Sequence, residues 1–320
     1  MTLAKFTVEV DAVFDETPDI RRYKLIDPTG GVLPTFSAGA HIHVYLEEGM
    51  VRQYSLSNDP LSRQCYEIAV LRESDGRGGS EAIYTKLQIG SKVVISEPCN
   101  HFPLKPEAAS HLFLAGGIGV TPMMAMIAEL DAGGADYRMH YCTRTREDTA
   151  FRDRLAPLLS TGQLTLHHDG GNPAYGIDLA ATLSEYEFGC HLYCCGPQGF
   201  MTAAKAASEH WPYGTVHFEY FTAQEDEFAL KRENTPFKVK IDSTGQVFDV
   251  AVDQTIIEVL RVNGFAVDTE CEDGYCGTCI TRYVDGEPEH RDLVLDDEDR
   301  NEFVMVCCAR SRSPVLVLDI

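Results

Sequence analysis

Hydrophobic and polar residues alternate one by one over much of the first hundred positions. The alternation begins at Phe6 and returns at 42–46 and 66–70, with turn residues such as Gly30 and Pro60 in between. A period of two is the pattern of strands that bury one face. We therefore predict about six antiparallel strands, which remove their exposed edges by closing into a small barrel.

The pattern changes near residue 110, where short, continuous apolar runs alternate with stretches of helical character. Such runs are typical of strands buried on both faces. The predicted strands are His111–Ala115, Arg138–Cys142, Leu164–His168 and His191–Cys195, and the predicted helices are Met123–Leu130, 148–160 and 177–186. Strands that alternate with helices predict a Rossmann-like, doubly wound and mostly parallel sheet. Ligands of such sheets bind beyond the carboxyl ends of the strands.

A polar and charged stretch at 222–236 separates this region from the last part of the chain. Beyond it we predict strands at Phe237–Ile241, Val247–Val250, Phe303–Val306 and Val315–Leu318, a helix at Thr255–Val262, and a hairpin turn at Asp285-Gly286. Strands that wrap around one helix favour a small β-grasp domain. The chain is therefore predicted to be a multidomain β and α/β protein.

Composition narrows the class of protein. Of 320 residues, 44% are hydrophobic and 24% are charged, which is typical of a soluble globular protein. No apolar run approaches the roughly 18 residues of a membrane span. The formal charge of −22 argues against nucleic-acid binding and favours either a basic protein partner or simply solubility, which accounts for most of the charges. Eleven cysteines without a signal-peptide pattern predict a cytoplasmic protein whose thiols stay free or bind metal.

The cysteines from Cys271 to Cys279 have the spacing C-x4-C-x2-C, with Cys276 as the middle member. This is the plant-type spacing that holds a [2Fe-2S] cluster on thiolates, with a fourth cysteine farther along the chain. Cys307 and Cys308 both qualify as that fourth ligand. A zinc knuckle or a disulfide pair is the alternative, although zinc sites usually have a C-x2-C pair at both ends. The motif predicts a one-electron carrier.

Two stretches of the predicted barrel carry groups suited to a phosphate and to an aromatic ring. Arg52-Gln-Tyr54 combines a planar guanidinium with an aromatic face. The glycine-rich stretch Gly76-Arg-Gly-Gly-Ser80 leads into a predicted helix at 80–87, whose first amides can bind an anion. Taken alone, each of these two stretches is also typical of an ordinary protein surface without a ligand.

Glycines also precede the first helix of the parallel region. Gly116–Gly119 lead to Thr121 as the predicted N-cap and to Pro122 as the first helical residue. This arrangement lets a pyrophosphate approach backbone amides. Cys195-Gly196-Pro197 follows another predicted strand and belongs to the same edge of the sheet.

In this order, the motifs resemble those of the phthalate dioxygenase reductase and vanillate O-demethylase reductase family, within the ferredoxin–NADP⁺ reductase superfamily. The strings that support the resemblance are Arg52-Gln-Tyr54-Ser55-Leu56, Gly76-Arg-Gly-Gly-Ser80, Ala115-Gly-Gly-Ile-Gly-Val-Thr-Pro122, Cys195-Gly-Pro197, His217-Phe-Glu219, Glu289-His-Arg-Asp292 and Leu316-Val-Leu-Asp319. The resemblance implies a flavin-binding barrel at 1–105, an NAD-binding α/β domain at 106–224, a linker at 225–235 and a ferredoxin domain at 236–320.

The resemblance further implies that one chain binds FMN, NADH and a plant-type [2Fe-2S] cluster. The implied flavin contacts are Arg52, Tyr54, Ser55, Gly78, Gly79 and Ser80; the implied NADH contacts are Gly117, Thr121, Arg144, Gly196, Pro197 and Glu219; and Cys195 is the implied catalytic residue, beside the nicotinamide. Consecutive strand residues point to opposite faces, so only one of Cys307 and Cys308 is expected to face the cluster. The family pattern favours Cys307.

Members of this family pass electrons to a separate terminal oxygenase with a Rieske cluster and non-haem iron, and the resemblance implies such a partner. The acidic run Asp296–Asp299 predicts that salt weakens this association. Arg144 and Arg146 suit the extra phosphate of NADPH, but the adjoining Glu147 and Asp148 oppose it, and together with the family precedent they predict a preference for NADH. A stand-alone NADH diaphorase or a redox-sensing flavoprotein is the alternative function.

Overall fold

The computed structural model describes residues 4–46, 50–73, 78–221, 234–269, 272, 274, 277–292, 295 and 299–320. The chain divides into two compact units, Leu3–Phe221 and Thr222–Ile320. The predicted boundary near residue 105 and the predicted linker at 225–235 remain predictions. The predicted residues outside the described part are Gly76, Arg77, Cys271, Cys276, Asp296, Asp297 and Glu298.

The alternating segments form the first sheet of the Leu3–Phe221 unit. Its antiparallel strands are β1 (Lys5–Asp15), β2 (Ile20–Ile26), β3 (His41–Tyr45), β4 (Val51–Ser55), β5 (Tyr66–Leu71) and β6 (Lys92–Ser96), in the order β4-β3-β6-β1-β2-β5. Helix α1 (Gly79–Lys86) comes between β5 and β6 in the chain. The alternating apolar residues point inward and share one core, which contains Val8, Val10, Ile42, Val44, Ile68 and Val70.

The two end strands of this sheet, β4 and β5, lie next to each other. An isolated bridge pairs Leu56 with Ile68, and the N–H of Ser57 donates to the carbonyl of Glu67 at 2.8 Å. No full ladder joins the two strands in the described part of the chain. The sheet therefore curls until its ends meet at a short bridge, which is the barrel-like arrangement expected from the alternation.

The second sheet is parallel throughout, as predicted. Its strands are β7 (Ser110–Gly116), β8 (Tyr137–Thr143), β9 (Leu164–His168), β10 (Cys190–Cys195) and β11 (Val216–Glu219), in the order β11-β10-β7-β8-β9, and its helices are α2 (Val120–Gly133), α3 (Arg152–Thr161), α4 (Leu179–Thr182) and α5 (Gln198–Ala207). Phe113 and Leu112 are neighbours on β7 but belong to different apolar clusters. Both faces of the sheet are therefore covered, which confirms the doubly wound fold.

Two helices are shorter than the sequence pattern predicts. The helix expected over 148–160 begins at Arg152, because Phe151 has a φ of 56°, a left-handed conformation that a helix interior does not allow. The carboxylate of Glu16, from the first sheet, accepts a hydrogen bond from the N–H of Phe151 at 2.9 Å. The helix expected over 177–186 is likewise reduced to the four residues of α4.

The C-terminal unit packs a mixed sheet against one helix. Its strands are β12 (Phe237–Ile241), β13 (Val247–Val250), β14 (Ile280–Asp285), β15 (Pro288–Glu289), β16 (Phe303–Met305), β17 (Arg310–Ser311) and β18 (Val315–Leu318), with the main sheet in the order β13-β12-β18-β14-β16. Helix α6 (Ile256–Val262) begins at a capping box between Thr255 and Glu258. This arrangement confirms the β-grasp prediction. None of the helices in the described residues has the length and apolar character that crossing a membrane requires.

The hairpin predicted at Asp285-Gly286 does not form. Strand β14 pairs with β16 and β18, whereas β15 pairs with β17. Gly286 does turn the chain, with a φ of 103°, but a Cβ at this position would lie 2.6 Å from the carbonyl oxygen of Val315. The turn therefore packs tightly against β18 and does not connect two paired strands.

Ion pairs join the first sheet of the Leu3–Phe221 unit to helix α3, which packs beside β9 of the second sheet. Glu67 of β5 is 7% exposed, and its carboxylate pairs with Arg22 at 2.9 Å and with Arg154 of α3 at 2.6 Å. Arg22 also pairs with Glu16 at 2.7 Å. Removing one partner of such a buried network leaves a charge uncompensated, which costs far more free energy than an exposed pair contributes.

Candidate functional site

Arg52 and Tyr54 lie on the face of β4 that belongs to the barrel core. In the ladder with β3 they pair with Val44 and Ile42, which are both buried, and paired residues share a face. Tyr54 packs against this core, and burial raises the pKa of its hydroxyl. Its ring is therefore neutral at physiological pH. Ser55, at the end of β4, is buried on the opposite face.

Arg52 lies against the start of α1. A Cβ on Gly79 would lie 2.2 Å from Nε of Arg52, so the contact requires glycine. Gly78 has a φ of 77°, a left-handed conformation that glycine adopts without strain. The hydroxyl of Ser80 accepts from the N–H of Glu73 at 3.1 Å. The structure thus brings a guanidinium beside the first amides of a helix, and both groups bind phosphate.

The charges around the start of α1 favour an anion. The acidic residue in its first turn is Glu81, whose carboxylate pairs with Arg72 at 2.8 Å. The hydrogen bond from Arg72 holds the pKa of Glu81 below its usual value, so the carboxylate is ionised and its charge is offset. Arg52 and the helix dipole then provide positive potential at this point.

The glycine turn after β7 touches the end of β10. A 3-10 turn at Gly117–Gly119 follows β7 and continues into α2. A Cβ on Gly119 would lie 2.2 Å from the carbonyl oxygen of Cys195, and one on Gly116 would lie 2.7 Å from Cδ of Pro197. The structure therefore brings the two predicted motifs together at the carboxyl edge of the sheet, where doubly wound folds bind their ligands.

Thr121 is not the N-cap of α2, contrary to the sequence prediction. The helix begins at Val120 and its N-cap is Gly119, because the 3-10 turn runs directly into the helix. The hydroxyl of Thr121 donates to the carbonyl of Ile118 at 3.0 Å. The first turn of α2 contains no acidic residue, so its amides can receive an anion without competition from a carboxylate.

Cys195 lies at the end of β10 with 1% of its surface exposed. Burial raises the pKa of its thiol well above the usual value, so the thiol stays protonated and provides a neutral contact. Gly196 and Pro197, which follow, are more exposed. Glu219 of β11 is the ladder partner of Cys195 and is half-buried.

Arg144 is exposed in the loop that follows β8. Its carbonyl accepts from the N–H of Gly170 at 2.8 Å, and the hydroxyl of Thr145 donates to Asp148 at 2.8 Å. These bonds fix the loop at the carboxyl edge of the parallel sheet. The loop presents a guanidinium and a carboxylate close together in the chain.

Two of the predicted cluster ligands meet in the described residues. Cys279 and Cys307 are each 1% exposed, and the Cys307 thiol hydrogen-bonds with Cys279. The backbone N–H of Gly274 also donates to the Cys307 sulfur, as amides do around iron–sulfur clusters. Cys271 and Cys276 lie outside the described residues. A set of buried thiols beside a backbone amide fits the soft ligation that a [2Fe-2S] cluster requires.

The sequence pattern predicts strand geometry for Cys307 and Cys308. In the structure they lie beyond the end of strand β16. The strand ends at Met305, and the carbonyl of Met305 accepts from the N–H groups of Cys308 and Ala309. Because the chain turns here, the alternation of strand faces cannot distinguish the two cysteines. Cys307 is the more buried of the two, while Sγ of Cys308 lies 2.6 Å from the position that a Cβ on Gly274 would take, so both sulfurs lie near the cluster loop.

The chain is similar to curated proteins along nearly its whole length, and the 2Fe-2S iron-sulfur cluster binding domain family matches residues 239–312. It is 45% identical to the tert-butanol monooxygenase / tert-amyl alcohol desaturase reductase subunit of Aquincola tertiaricarbonis, over 94% of this chain and 92% of the relative. It is 42% identical to the phthalate dioxygenase reductase of Burkholderia cepacia, over 94% and 93%. It is also 42% identical to the vanillate O-demethylase oxidoreductase of a Pseudomonas strain, over 94% and 96%. The chain belongs to the phthalate dioxygenase reductase and vanillate O-demethylase reductase family.

The solved structure of phthalate dioxygenase reductase, described as modular for electron transfer from pyridine nucleotides to [2Fe-2S], has the same fold. The TM-score is 0.75 at 40% identity, over 99% of this chain and 98% of that chain. The predicted order of flavin-binding barrel, nucleotide-binding α/β region and ferredoxin is therefore confirmed. This member of the phthalate dioxygenase reductase family is an oxidoreductase that uses a flavin, NADH and an iron–sulfur cluster.

Strand β5 is a part of the site that no local motif marks. It lies beside the 3-10 turn that precedes α2. Ala69 of β5 packs in the same cluster as Met123 of α2, while Arg72, just after β5, pairs with Glu81 of α1. The strand therefore contacts both glycine turns. Its alternating sequence indicates a strand but contains no signal for its place between the two turns.

Proposed function

We propose that this chain is the NADH-dependent reductase component of a Rieske-type oxygenase, which is a dioxygenase, monooxygenase or demethylase. The observation that supports this most directly is the end-to-end similarity to proteins named as reductase subunits of oxygenases. In this proposal a hydride passes from NADH to FMN, and single electrons then pass through the [2Fe-2S] cluster to the terminal oxygenase.

A flavin accepts two electrons together and releases them singly, which is the conversion needed between a nicotinamide and a one-electron cluster. The task of the protein is then to bind and orient. Arg52, Gly78, Gly79 and Ser80 are proposed to hold the flavin phosphate, and Tyr54 and Ser55 to border its ring. Cys195 stays a protonated thiol, so it shapes the nicotinamide contact and transfers no proton. No general base is required.

FMN is proposed over FAD because the guanidinium and helix start are arranged for one terminal phosphate. The Arg52–Gly79 contact supports this, since it concentrates the positive potential at a single point. Mass analysis of acid-released flavin tests the choice. One equivalent of FAD would contradict it.

The proposed NADH site lies at the carboxyl edge of the parallel sheet. Its members are Gly117, Thr121, Arg144, Cys195, Gly196, Pro197 and Glu219. The bond from Thr145 to Asp148 supports a preference for NADH, because it holds a carboxylate in the loop after β8, where that charge opposes the extra phosphate of NADPH. Kinetics with both nucleotides test the preference, and equal kcat/KM values would contradict it.

Cys271, Cys276, Cys279 and Cys307 are the proposed cluster ligands. The contact between the buried thiols of Cys279 and Cys307 supports the fourth member of this set. We expect Cys307→Ser to lose the cluster absorption while NADH still reduces the flavin. Cys308→Ser is the matched control and should keep the visible spectrum. A reversed pair of results would assign the fourth ligand to Cys308.

The proposed partner is a Rieske non-haem iron oxygenase, and the charge of −22 favours a basic docking face on it. A cytoplasmic location is part of the proposal. None of the nine cysteines that the structure describes is in a disulfide, as a reducing compartment favours.

The deciding experiment follows electrons through the purified holoprotein. Anaerobic NADH should bleach the flavin and the cluster in turn, and addition of a purified Rieske-type oxygenase should reoxidise both. If small acceptors reoxidise the reduced flavin and cluster but the oxygenase does not, the stand-alone diaphorase is the better description. Electron transfer to the oxygenase should also slow as ionic strength rises, because salt screens the steering charges.

A further inference from the structure

We propose that His41, His43 and Cys99 form a binding site for a zinc-class transition-metal ion. One ligand atom from each side chain lies within 4.8 Å of the other two. All three residues belong to the Leu3–Phe221 unit, and none of them is a proposed ligand of the iron–sulfur cluster. The site is therefore additional to the redox cofactors.

Backbone pairing places the three side chains together. His41 and His43 are two residues apart on β3 and so share one face of the strand. Cys99 forms an antiparallel bridge with His41, in which the N–H of each donates to the carbonyl of the other, at 2.8 and 3.0 Å. Residues paired in this way point their side chains to the same face. The cluster is thus fixed by the sheet and does not depend on a flexible loop.

The spacing suits tetrahedral zinc. Nε2 of His41 lies 3.3 Å from Sγ of Cys99. Zinc bonds of about 2.1 Å to nitrogen and about 2.3 Å to sulfur place two such ligands about 3.5 Å apart at a tetrahedral angle. Imidazoles with a thiolate also select zinc or copper, whereas magnesium and calcium prefer oxygen ligands.

The surroundings orient the ligands. His41 and His43 are 5% and 7% exposed, and the side-chain amide of Gln53 lies 3.0 Å from Nε2 of His43, so that with the amide turned its oxygen accepts from this N–H when Nδ1 binds the metal. Contacts of this outer-shell kind fix ring orientation at metal sites. The ring centroid of His101 lies 5.7 Å from that of His41, so rotation of this exposed side chain can provide a fourth ligand. A water molecule is the other choice for the fourth position.

Arg52 and Tyr54 lie on the face of β3 and β4 opposite to the metal cluster, whereas Ser55, the ladder partner of His41, is the one proposed flavin residue of these strands on the cluster's face. Ile42 and Val44, which pair with Tyr54 and Arg52, point into the barrel, whereas the histidines alternate with them on β3. Metal binding should therefore leave flavin content unchanged. This separates the proposal from the reductase function, since either can fail without the other.

The test uses holoprotein with its iron and flavin contents measured and with loosely bound metal removed by EDTA. We expect Zn²⁺, titrated against a chromophoric chelator, to bind with one equivalent, and its X-ray absorption spectrum to show one sulfur and at least two nitrogen ligands. Cys99→Ser and His43→Gln should each weaken zinc binding about tenfold or more, with flavin content retained. His210→Gln, which changes an exposed histidine of the parallel-sheet region, is the control and should leave the affinity unchanged.

Unchanged affinity in both Cys99→Ser and His43→Gln would overturn the proposal. A zinc spectrum of the wild-type protein without sulfur would also overturn it, and this readout does not depend on the folding of any variant. The contact between His41 and Cys99 would then be a thiol–imidazole hydrogen bond only.

Discussion

Helices α1 and α2 both begin at glycine turns, but the two turns use their glycines differently. At α1, Gly79 makes room for the side chain of Arg52. At α2, Gly119 makes room for the backbone of Cys195 at the end of a buried strand. A long side chain can move aside at small cost, whereas a strand end in a sheet cannot. Similar glycine-rich sequences therefore differ in how much change they tolerate.

The two turns also attract an anion in different ways. The start of α1 combines helix amides with the guanidinium of Arg52, so its affinity for phosphate is expected to depend on that charge. The start of α2 offers amides in a turn without acidic residues, so its affinity is expected to depend on the exact position of the backbone. Substitutions at the two turns can separate these two effects.

The largest effect is expected for Gly119→Ala. The new methyl group would meet backbone atoms of Cys195 and Gly196, which cannot move without shifting β10, so we expect unfolding to become easier by about 3 kcal/mol. NADH binding should be lost together with stability. Urea denaturation and NADH titration measure both. Gly133→Ala, near the other end of α2 and in open space, is the control and should change neither by much.

Arg52→Gln should weaken flavin binding about 10- to 100-fold, because a charge-assisted hydrogen bond to phosphate contributes about 1.5–3 kcal/mol. Arg52→Lys should recover part of the affinity, since it keeps the charge but loses the planar fork. Fluorescence titration of the deflavinated protein gives the dissociation constants. Equal affinity in wild type and Arg52→Gln would remove Arg52 from the phosphate site.

Gly79→Ala should weaken flavin binding about tenfold or less, because Arg52 must move away from the new methyl group. Gly78→Ala should instead affect the stability of the fold more than flavin binding. Its φ of 77° strains an alanine by about 1 kcal/mol, while nothing lies within 4 Å of the added methyl. Stability should fall and flavin affinity should stay near wild type. Matched effects of the two substitutions on flavin affinity would show that Gly79 acts through the backbone and not through Arg52.

The smallest effect concerns His217, a half-buried histidine of the parallel sheet. Burial, with His191 and Lys105 adding to it against the opposite effect of Glu107, lowers the pKa of His217 to about 4. In the unfolded chain this pKa is about 6.5. Between these values only the unfolded state binds the proton, so the unfolding free energy should fall as pH drops from about 6.5 to about 4. Urea unfolding at several pH values gives the unfolding free energy as a function of pH. This free energy should depend less steeply on pH in His217→Gln than in the wild type, and an equally steep dependence would contradict the prediction.

Local sequence determines the elements of this protein and most of its chemical groups. The period of two predicts the barrel strands, and short apolar runs predict the parallel ones, because a few residues are enough to define a buried face. The cysteine spacing and the glycine turns are also local, since a ligand loop or a helix start involves neighbours in the chain. The capping box at Thr255 is of the same kind.

Three predictions fail at the ends of elements. Thr121 is not a cap because the turn before it winds into the helix, and Gly286 does not make a hairpin because it is pressed against β18. The pair after Met305 leaves its strand in a turn, so strand alternation does not apply to it. In each case backbone hydrogen bonds or close packing override the local pattern.

Only the tertiary structure brings together groups from separate elements. It brings Arg52 into contact with Gly79, and the glycine turn after β7 into contact with Cys195. It also pairs Cys99 with His41 in a β-bridge. The sequence alone determines which residues share a face of each strand and which turns can open a helix. Sheet order and register decide which of those faces and turns meet, because they follow from the burial of a whole core and not from any neighbouring residue.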